Sequence, residues 1–196
     1  PHFESEALLE RLLSAKLVNK FAQAIASERS VHQLMKIAIE STRELCDADG
    51  ASLLVVDPVT QELCFDRVGG SGQGHLEQVR LPPGQGIAGR VAREREALRV
   101  LDVRECAEFD PTADNQSGFV TGSIVAVPLI HRGQVIGVLE AVRHAARAPF
   151  EATHLERLIE LAPHVVIAVH QARVDEKLQQ ARSELRSWNK KTAELF

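Results

Sequence analysis

Tyrosine is absent from the 196-residue chain and tryptophan occurs once. Stacking platforms for nucleic-acid bases are therefore scarce, and a formal charge of −4 leaves no cationic excess to neutralise phosphates. Both absences argue against a nucleic-acid partner. Cysteine is sparse and odd in number, at Cys46, Cys64 and Cys106 with no C-x-x-C pair, so neither a disulfide framework nor a zinc ribbon fits. No apolar run approaches the roughly 18 residues that cross a bilayer, and the N-terminal stretch is amphipathic and contains Glu, unlike a signal peptide. The expectation is a cytoplasmic chain without a membrane partner. G-x-S-x-G, Walker and H-E-x-x-H motifs are missing too, so no catalytic residue and no metal site is assigned. What remains is 44% apolar and 26% charged residues, an ordinary globular composition with enough for one substantial core.

Apolar residues at Leu8, Leu9, Leu12, Leu13, Ala15, Val18, Phe21, Ala22 and Ile25 recur with a 3.6-residue period, which predicts an amphipathic helix over 6–26. Val31, Leu34, Met35, Ala38, Ile39, Thr42 and Leu45 predict a second, with Ser30 as its cap. Strands are expected over 51–57 and 63–68 around the turn Pro58–Gln61, then over 77–81 and 98–101. Two more are expected over 123–130 and 134–142 around His131-Arg132-Gly133. A short helix is expected over 87–94. From Asp102 to Gly122 the chain is polar with little period, and long irregular stretches inside domains are usually functional or mobile. A helical pattern runs from Glu151 to the end, with a kink or break expected at Pro163. This order predicts an α+β domain with one six-stranded antiparallel sheet and the terminal helices together on one face.

Leu178, Ala181, Leu185, Trp188, Thr192 and Leu195 are spaced as a coiled-coil seam. It extends about 27 Å, more than the domain's own core needs, which points to a homodimer; a helix folded back along the domain is the alternative. Pro1 opens the chain and the helical pattern reaches Phe196, so an excised piece of a longer protein is expected.

Gly84-x-Gly86-x-x-Gly89 matches a dinucleotide-binding pattern, but two prolines precede it and the neighbouring strands read as antiparallel, against a βαβ unit. The surviving alternatives are an anion site at the unpaired amides of Ile87 and Ala88, or a glycine turn before a packed helix. The eight histidines lack metal-ligand spacing, and Cys106 with Asp102, Glu105 and Asp110 reads as an iron or oxidation site or as a solvated acidic loop.

The stretches GQGIAGRVA (84–92), SGFVTGSIVAVPL (117–129), GQVIGVLE (133–140) and VVIAVHQAR (165–173), in this order, resemble the GAF domain family over residues 20 to 175. The resemblance implies a non-catalytic sensor domain with a ligand pocket on the sheet face opposite the helices, relaying a signal through dimeric terminal helices to an output domain. The division it implies is a terminal helix (1–26), a sensor domain (27–170) and a linker helix (171–196). The segment Asp114 to Thr121 is similar to the cyclic-nucleotide-binding branch represented by phosphodiesterases and cyanobacterial adenylyl cyclases. That similarity puts Ser52, Ile87, Ala88, Asp114, Ser117, Thr121 and Glu140 around a ligand, with cyclic AMP or cyclic GMP as candidates. The branch's Asn-Lys, Phe and Asp-Glu signature stands here as Arg143-His144, Phe150 and His154-Leu155, and the Lys–Asp pair it replaces is implied to close the pocket from outside. A sensor of another metabolite or of a redox signal, and a ligand-free dimerisation module, remain alternatives. A GAF-type methionine sulfoxide reductase would need its cysteines gathered around one pocket. The linker SELRSWN (183–189) resembles those preceding bacterial cyclase or kinase domains.

Overall fold

The apolar stripe Leu34, Met35, Ala38, Ile39 and Leu45 winds along one side of α1 (Val31–Cys46) and is almost wholly buried, as a 3.6-residue period requires. The computed structural model describes residues 31–70 and 79–193, apart from the side chains of 31, 32, 67 and 189–193, together with helical positions Ala15, Lys16, Asn19 and Gln23. Apart from those four positions, the helix expected over 6–26 and its follower's cap Ser30 lie outside the described residues, as does Leu195 of the seam.

Six strands form one antiparallel sheet: β1 (Gly50–Val56), β2 (Leu63–Gly70), β3 (Arg80–Leu81), β4 (Leu98–Val100), β5 (Thr121–His131) and β6 (Gln134–His144), in the order β3-β2-β1-β6-β5-β4. Helices α2 (Gly86–Glu94) and α3 (Thr112–Ser117) lie between strands, and α4 (Ala152–Ala193) closes the chain. Both faces of the sheet are covered. On one, Leu53, Val127 and Leu139 pack with α1 and α4; on the other, Leu54, Ile124 and Val138 pack with Ile87 and Val91 of α2. Double burial explains why the central strands read as continuous apolar runs rather than alternations.

The β1–β2 turn is built by Asp57, whose carboxylate accepts the amides of Val59 and Thr60 at 2.8 and 3.1 Å. Arg132 and Gly133 are both left-handed (φ 48° and 77°), the two-residue turn that matches strand twist between β5 and β6.

Two expectations are corrected. The segment from Asp102 to Gly122 is not irregular throughout: a 3₁₀ turn (Val103–Glu105) and α3 interrupt it, held by local side-chain hydrogen bonds that a periodicity search does not register. Nor does Pro163 break the last helix, which runs unbroken from 152 to 193. Pro163 lacks the N–H that would meet the Ile159 carbonyl, and Ile159 is 47% exposed, on a side of the helix open to solvent.

The glycine motif has a steric origin. Gly84 and Gly86 are left-handed (φ 81° and 72°), and a Cβ on Gly89 would stand 2.5 Å from the carbonyl carbon of Gly84. The motif therefore serves a tight turn against its own helix. Gly89→Ala should cost about 1–3 kcal/mol because backbone must move, whereas Gly118→Ala, which has open space, should cost about 1 kcal/mol for its left-handed φ alone. Thermal unfolding of the two variants measures the difference.

Candidate functional site

The antiparallel register sets Ser52 of β1 directly opposite Glu140 of β6, the two central strands. Strand alternation points both side chains away from the α1/α4 face, where Ser52 Oγ donates to Glu140 Oε2 at 3.3 Å. On the other flank of Glu140 stands Ala126, too small to shield or to bond it. Burial among apolar neighbours pushes the Glu140 carboxyl up from 4.5 to about 7, and the Ser52 hydrogen bond offsets only part of that. Near neutral pH this group is both donor and acceptor.

Glu140 faces a cavity with about 760 Å³ of empty space, part of it open to solvent. Its floor is the sheet, one wall is the start of α2, and its roof comes from 109–119. All seven residues named from the sequence line it: Ser52, Ile87, Ala88, Asp114, Ser117, Thr121 and Glu140. The amides of Ile87 and Ala88 belong to the first turn of α2, where N–H groups have no intrahelical acceptor. No lining residue is Lys or Arg.

The seven are not equivalent. Asp114 is occupied by Thr121: its Oδ1 accepts the hydroxyl at 2.6 Å and its Oδ2 accepts the amide at 2.8 Å, fastening α3 to the start of β5. Ser117 Oγ donates to the Ala113 carbonyl at 2.8 Å and accepts from the Phe119 amide at 3.2 Å. Thr121 shares the cavity with Ile124 because a register shift at Gly122 turns it over; simple alternation would pair it with Ser123 on the helix face. Gly122 is the sequence signal for that bulge, since a Cβ there would lie 2.5 Å from Ala145 Cα.

Sequence reasoning missed the aromatic lining, Phe65, Phe109 and Phe119, and missed Asp110. Phe109 and Phe119, the two aromatics of an otherwise mostly polar segment, were the available clue. Asp110 accepts the Thr112 hydroxyl and amide at 2.6 and 2.9 Å and the Gln85 side-chain amide at 2.6 Å, which ties the roof to the start of α2. The Thr112 hydroxyl is the main cause that holds this carboxyl below its usual range.

The replaced signature lies elsewhere. Arg143 bonds the carbonyls of Cys46 and Asp47 at the end of α1, contacts His154 at 3.0 Å and lies over the Phe150 ring at 4.5 Å. None of Arg143, Phe150 and His154 lines the cavity, so this cluster clamps α1 and α4 to β6 and does not close the pocket. The cysteines are not gathered. Cys46 lies in the helix-face core, where burial pushes its thiol up to about 12; Cys64 meets Arg80 at the sheet edge; Cys106 packs on the cavity face. The acidic groups near Cys106 do not converge either, because Asp102 is taken by Arg104 and Asp110 by Gln85 and Thr112. Among the described residues no group of three His, Cys, Asp or Glu is placed to hold a metal, and no helix is long and apolar enough to cross a membrane.

A family model described as GAF domain matches residues 28–170. A probable 3′,5′-cyclic phosphodiesterase of Caenorhabditis elegans is 27% identical over 176 residues, 85% of this chain and 23% of that protein. The alpha′ subunit of the Mus musculus cone cGMP-specific 3′,5′-cyclic phosphodiesterase is 32% identical over 92 residues, 47% of this chain and 11% of that protein. The chain thus spans less than a quarter of the length of these relatives. Among solved structures, the GAF domain of an Acinetobacter phosphoenolpyruvate-protein phosphotransferase shares the fold with a TM-score of 0.72 at 18% identity, covering 84% of this chain and 98% of that one.

Glu140 also makes the fold pH-sensitive. Between its unfolded value of 4.5 and its folded value of about 7 the folded state holds more protons, so its contribution lowers stability as pH rises through that window and is level above it. Glu140→Gln should be neutral at pH 4 and stabilising by up to about 3 kcal/mol at pH 8, read by urea unfolding at both pH values. A gain of equal size at pH 4 would contradict this account.

Proposed function

The chain belongs to the GAF domain family, and we propose that it is the non-catalytic, ligand-binding regulatory domain of a larger cytoplasmic signalling protein, with a cyclic nucleotide as the foremost candidate ligand. One observation carries the reading: Ser52, Ile87, Ala88, Asp114, Ser117, Thr121 and Glu140, scattered over 88 positions, line a single roofed cavity. Hydroxyl and carboxyl groups at Ser52 and Glu140 suit a base edge or ribose hydroxyls, Phe65, Phe109 and Phe119 suit a flat ring, and the α2 amides take the cyclic phosphate without a cation. Asp114 and Thr121 act by fastening the roof.

The signal leaves along α4. Buried positions on that helix stop at Val169, which supports a sensor domain ending near 170; the linker helix (171–196) and the terminal helix (1–26) are the proposed arms of the relay. Leu178 and Leu185 are 46 and 60% exposed, as positions of a coiled-coil seam would be in a single copy. Ile167 and Val174, also exposed, continue that stripe towards the domain. The domain that receives the signal, a cyclase or kinase by the linker's resemblance, lies beyond this sequence.

Calorimetry against cyclic AMP and cyclic GMP should give saturable heat for one of them, weakened about tenfold or more in Glu140→Ala, where a buried hydrogen-bonding partner is lost. No heat and no thermal shift at millimolar nucleotide excludes that ligand class and leaves another metabolite, which mass spectrometry of the purified protein would identify. Leu178→Asp combined with Leu185→Asp should yield folded monomers by light scattering; a mutant that stays dimeric puts the seam elsewhere.

A further inference from the structure

A second concavity lies at the opposite ends of the elements that build the first. Val56 ends β1 and Ile136 begins β6, away from Ser52 and Glu140, and the C-terminal half of α2 completes the wall. This groove has about 1460 Å³ of empty space, part of it open solvent, and shares no lining residue with the Glu140 cavity. Its charged lining consists of Arg93, Arg95 and Arg173, with no carboxylate among the lining residues.

Each of the three guanidiniums is poorly compensated. Arg173, reaching in from α4, donates only to neutral carbonyls, those of Val56 and Ile136. Burial depresses its pKa more than the charges of Glu176 and Asp57 restore it. Arg93 has Glu94 at 3.2 Å, but that carboxylate also serves Arg90 at 3.0 Å. Arg95 makes no ion pair among the described residues and stands left-handed (φ 61°) just past the end of α2, where glycine is the unstrained choice. Gln61, a second lining residue, is left-handed as well (φ 62°). Two polar residues thus stand left-handed, at a helix cap and a strand turn, around one concavity.

We propose that this groove is a second binding site, for a small polyanion: a phosphorylated metabolite whose phosphates meet Arg93, Arg95 and Arg173 and whose apolar body rests on Leu63 and Val135. Guanidiniums fit phosphate oxygens in pairs, and such charge-assisted hydrogen bonds are the strong ones. The occupant bridges α2 to α4 at the point where that helix leaves the core. The proposal is independent of what fills the Glu140 cavity.

The test is calorimetry on the full chain at about 0.15 M salt, where exposed charges are screened, with inorganic pyrophosphate and adenosine triphosphate as probes. Both should bind saturably, the nucleotide more tightly because it adds the apolar body. Arg95→Gly should melt no lower than the parent, since it relieves the left-handed strain, yet bind both probes about tenfold more weakly or worse. Glu140→Gln should leave this binding unchanged. Absence of saturable heat with both probes, unchanged affinity in Arg95→Gly, or loss in Glu140→Gln alone, which would put the anion in the other cavity, each overturns the proposal. Tighter binding of a polyglutamate peptide than of either probe would also overturn it, assigning the groove to a protein partner. Pyrophosphate heat with no response to cyclic nucleotides would leave this site standing and remove the nucleotide reading of the first.

Discussion

The register between β1 and β6 is the constraint on which the site depends. It sets Ser52 against Glu140 in the middle of the sheet and gives the carboxyl its one side-chain hydrogen bond. A slip of one residue would turn Glu140 onto the α1/α4 face among Leu53 and Leu139, where an acid has nothing to bond and no ligand can reach it. Two features resist such a slip. The left-handed pair Arg132-Gly133 fixes how β5 and β6 pair, and Gly137 lets the Leu54 carbonyl approach to where a Cβ would stand, 2.4 Å away.

Keeping a carboxyl at that place weakens the fold. A pKa near 7 means that ionising Glu140 inside the sheet costs about 3 kcal/mol relative to water, a large share of the 5–15 kcal/mol that typically separates folded from unfolded chains. The double-sided core offsets this, with Leu53, Leu139 and Leu161 fully buried on one face and Leu54, Ala126 and Val138 on the other. The roof is held differently. None of the residues of α3 is fully buried; Phe109 and Ala113 pack against the cavity-face core only in part, and polar bonds fasten the rest, Asp110 to Gln85 and Asp114 to Thr121. An element held by a few hydrogen bonds opens at lower free energy than one held by a core, so the roof is the part of the cavity wall that opens more readily than the sheet.

β1, α2 and β6 each have one end at the Glu140 cavity and the other at the arginine groove. α2 does so with opposite chemistry at its two ends, unpaired amides at Ile87 and Ala88 and cationic side chains at Arg93 and Arg95. A half-buried arginine of α4, Arg173, is bonded to the far ends of both site-bearing strands. The cavity, the groove and α4 are therefore joined through the same two strands.

The sequence by itself determined the six strands and their order, the long helices that flank them, the hairpin turns and an apolar stripe on the last helix. All of these follow from local periodicity and turn chemistry, which are written in neighbouring residues. It also supplied the residue types around the cavity, through their likeness to a family pattern. What only the tertiary structure decided is which of those residues are free to act: that Asp114 is spent on Thr121, that Ser117 is satisfied by its own turn, that Thr121 is turned inward by a bulge, and that Arg143 and His154 work on the far face of the sheet. It alone assembled Arg93, Arg95 and Arg173 in one groove. The physical reason is that hydrogen-bond partners and burial are set by strand register and helix docking between residues tens of positions apart, and no local pattern encodes those distances.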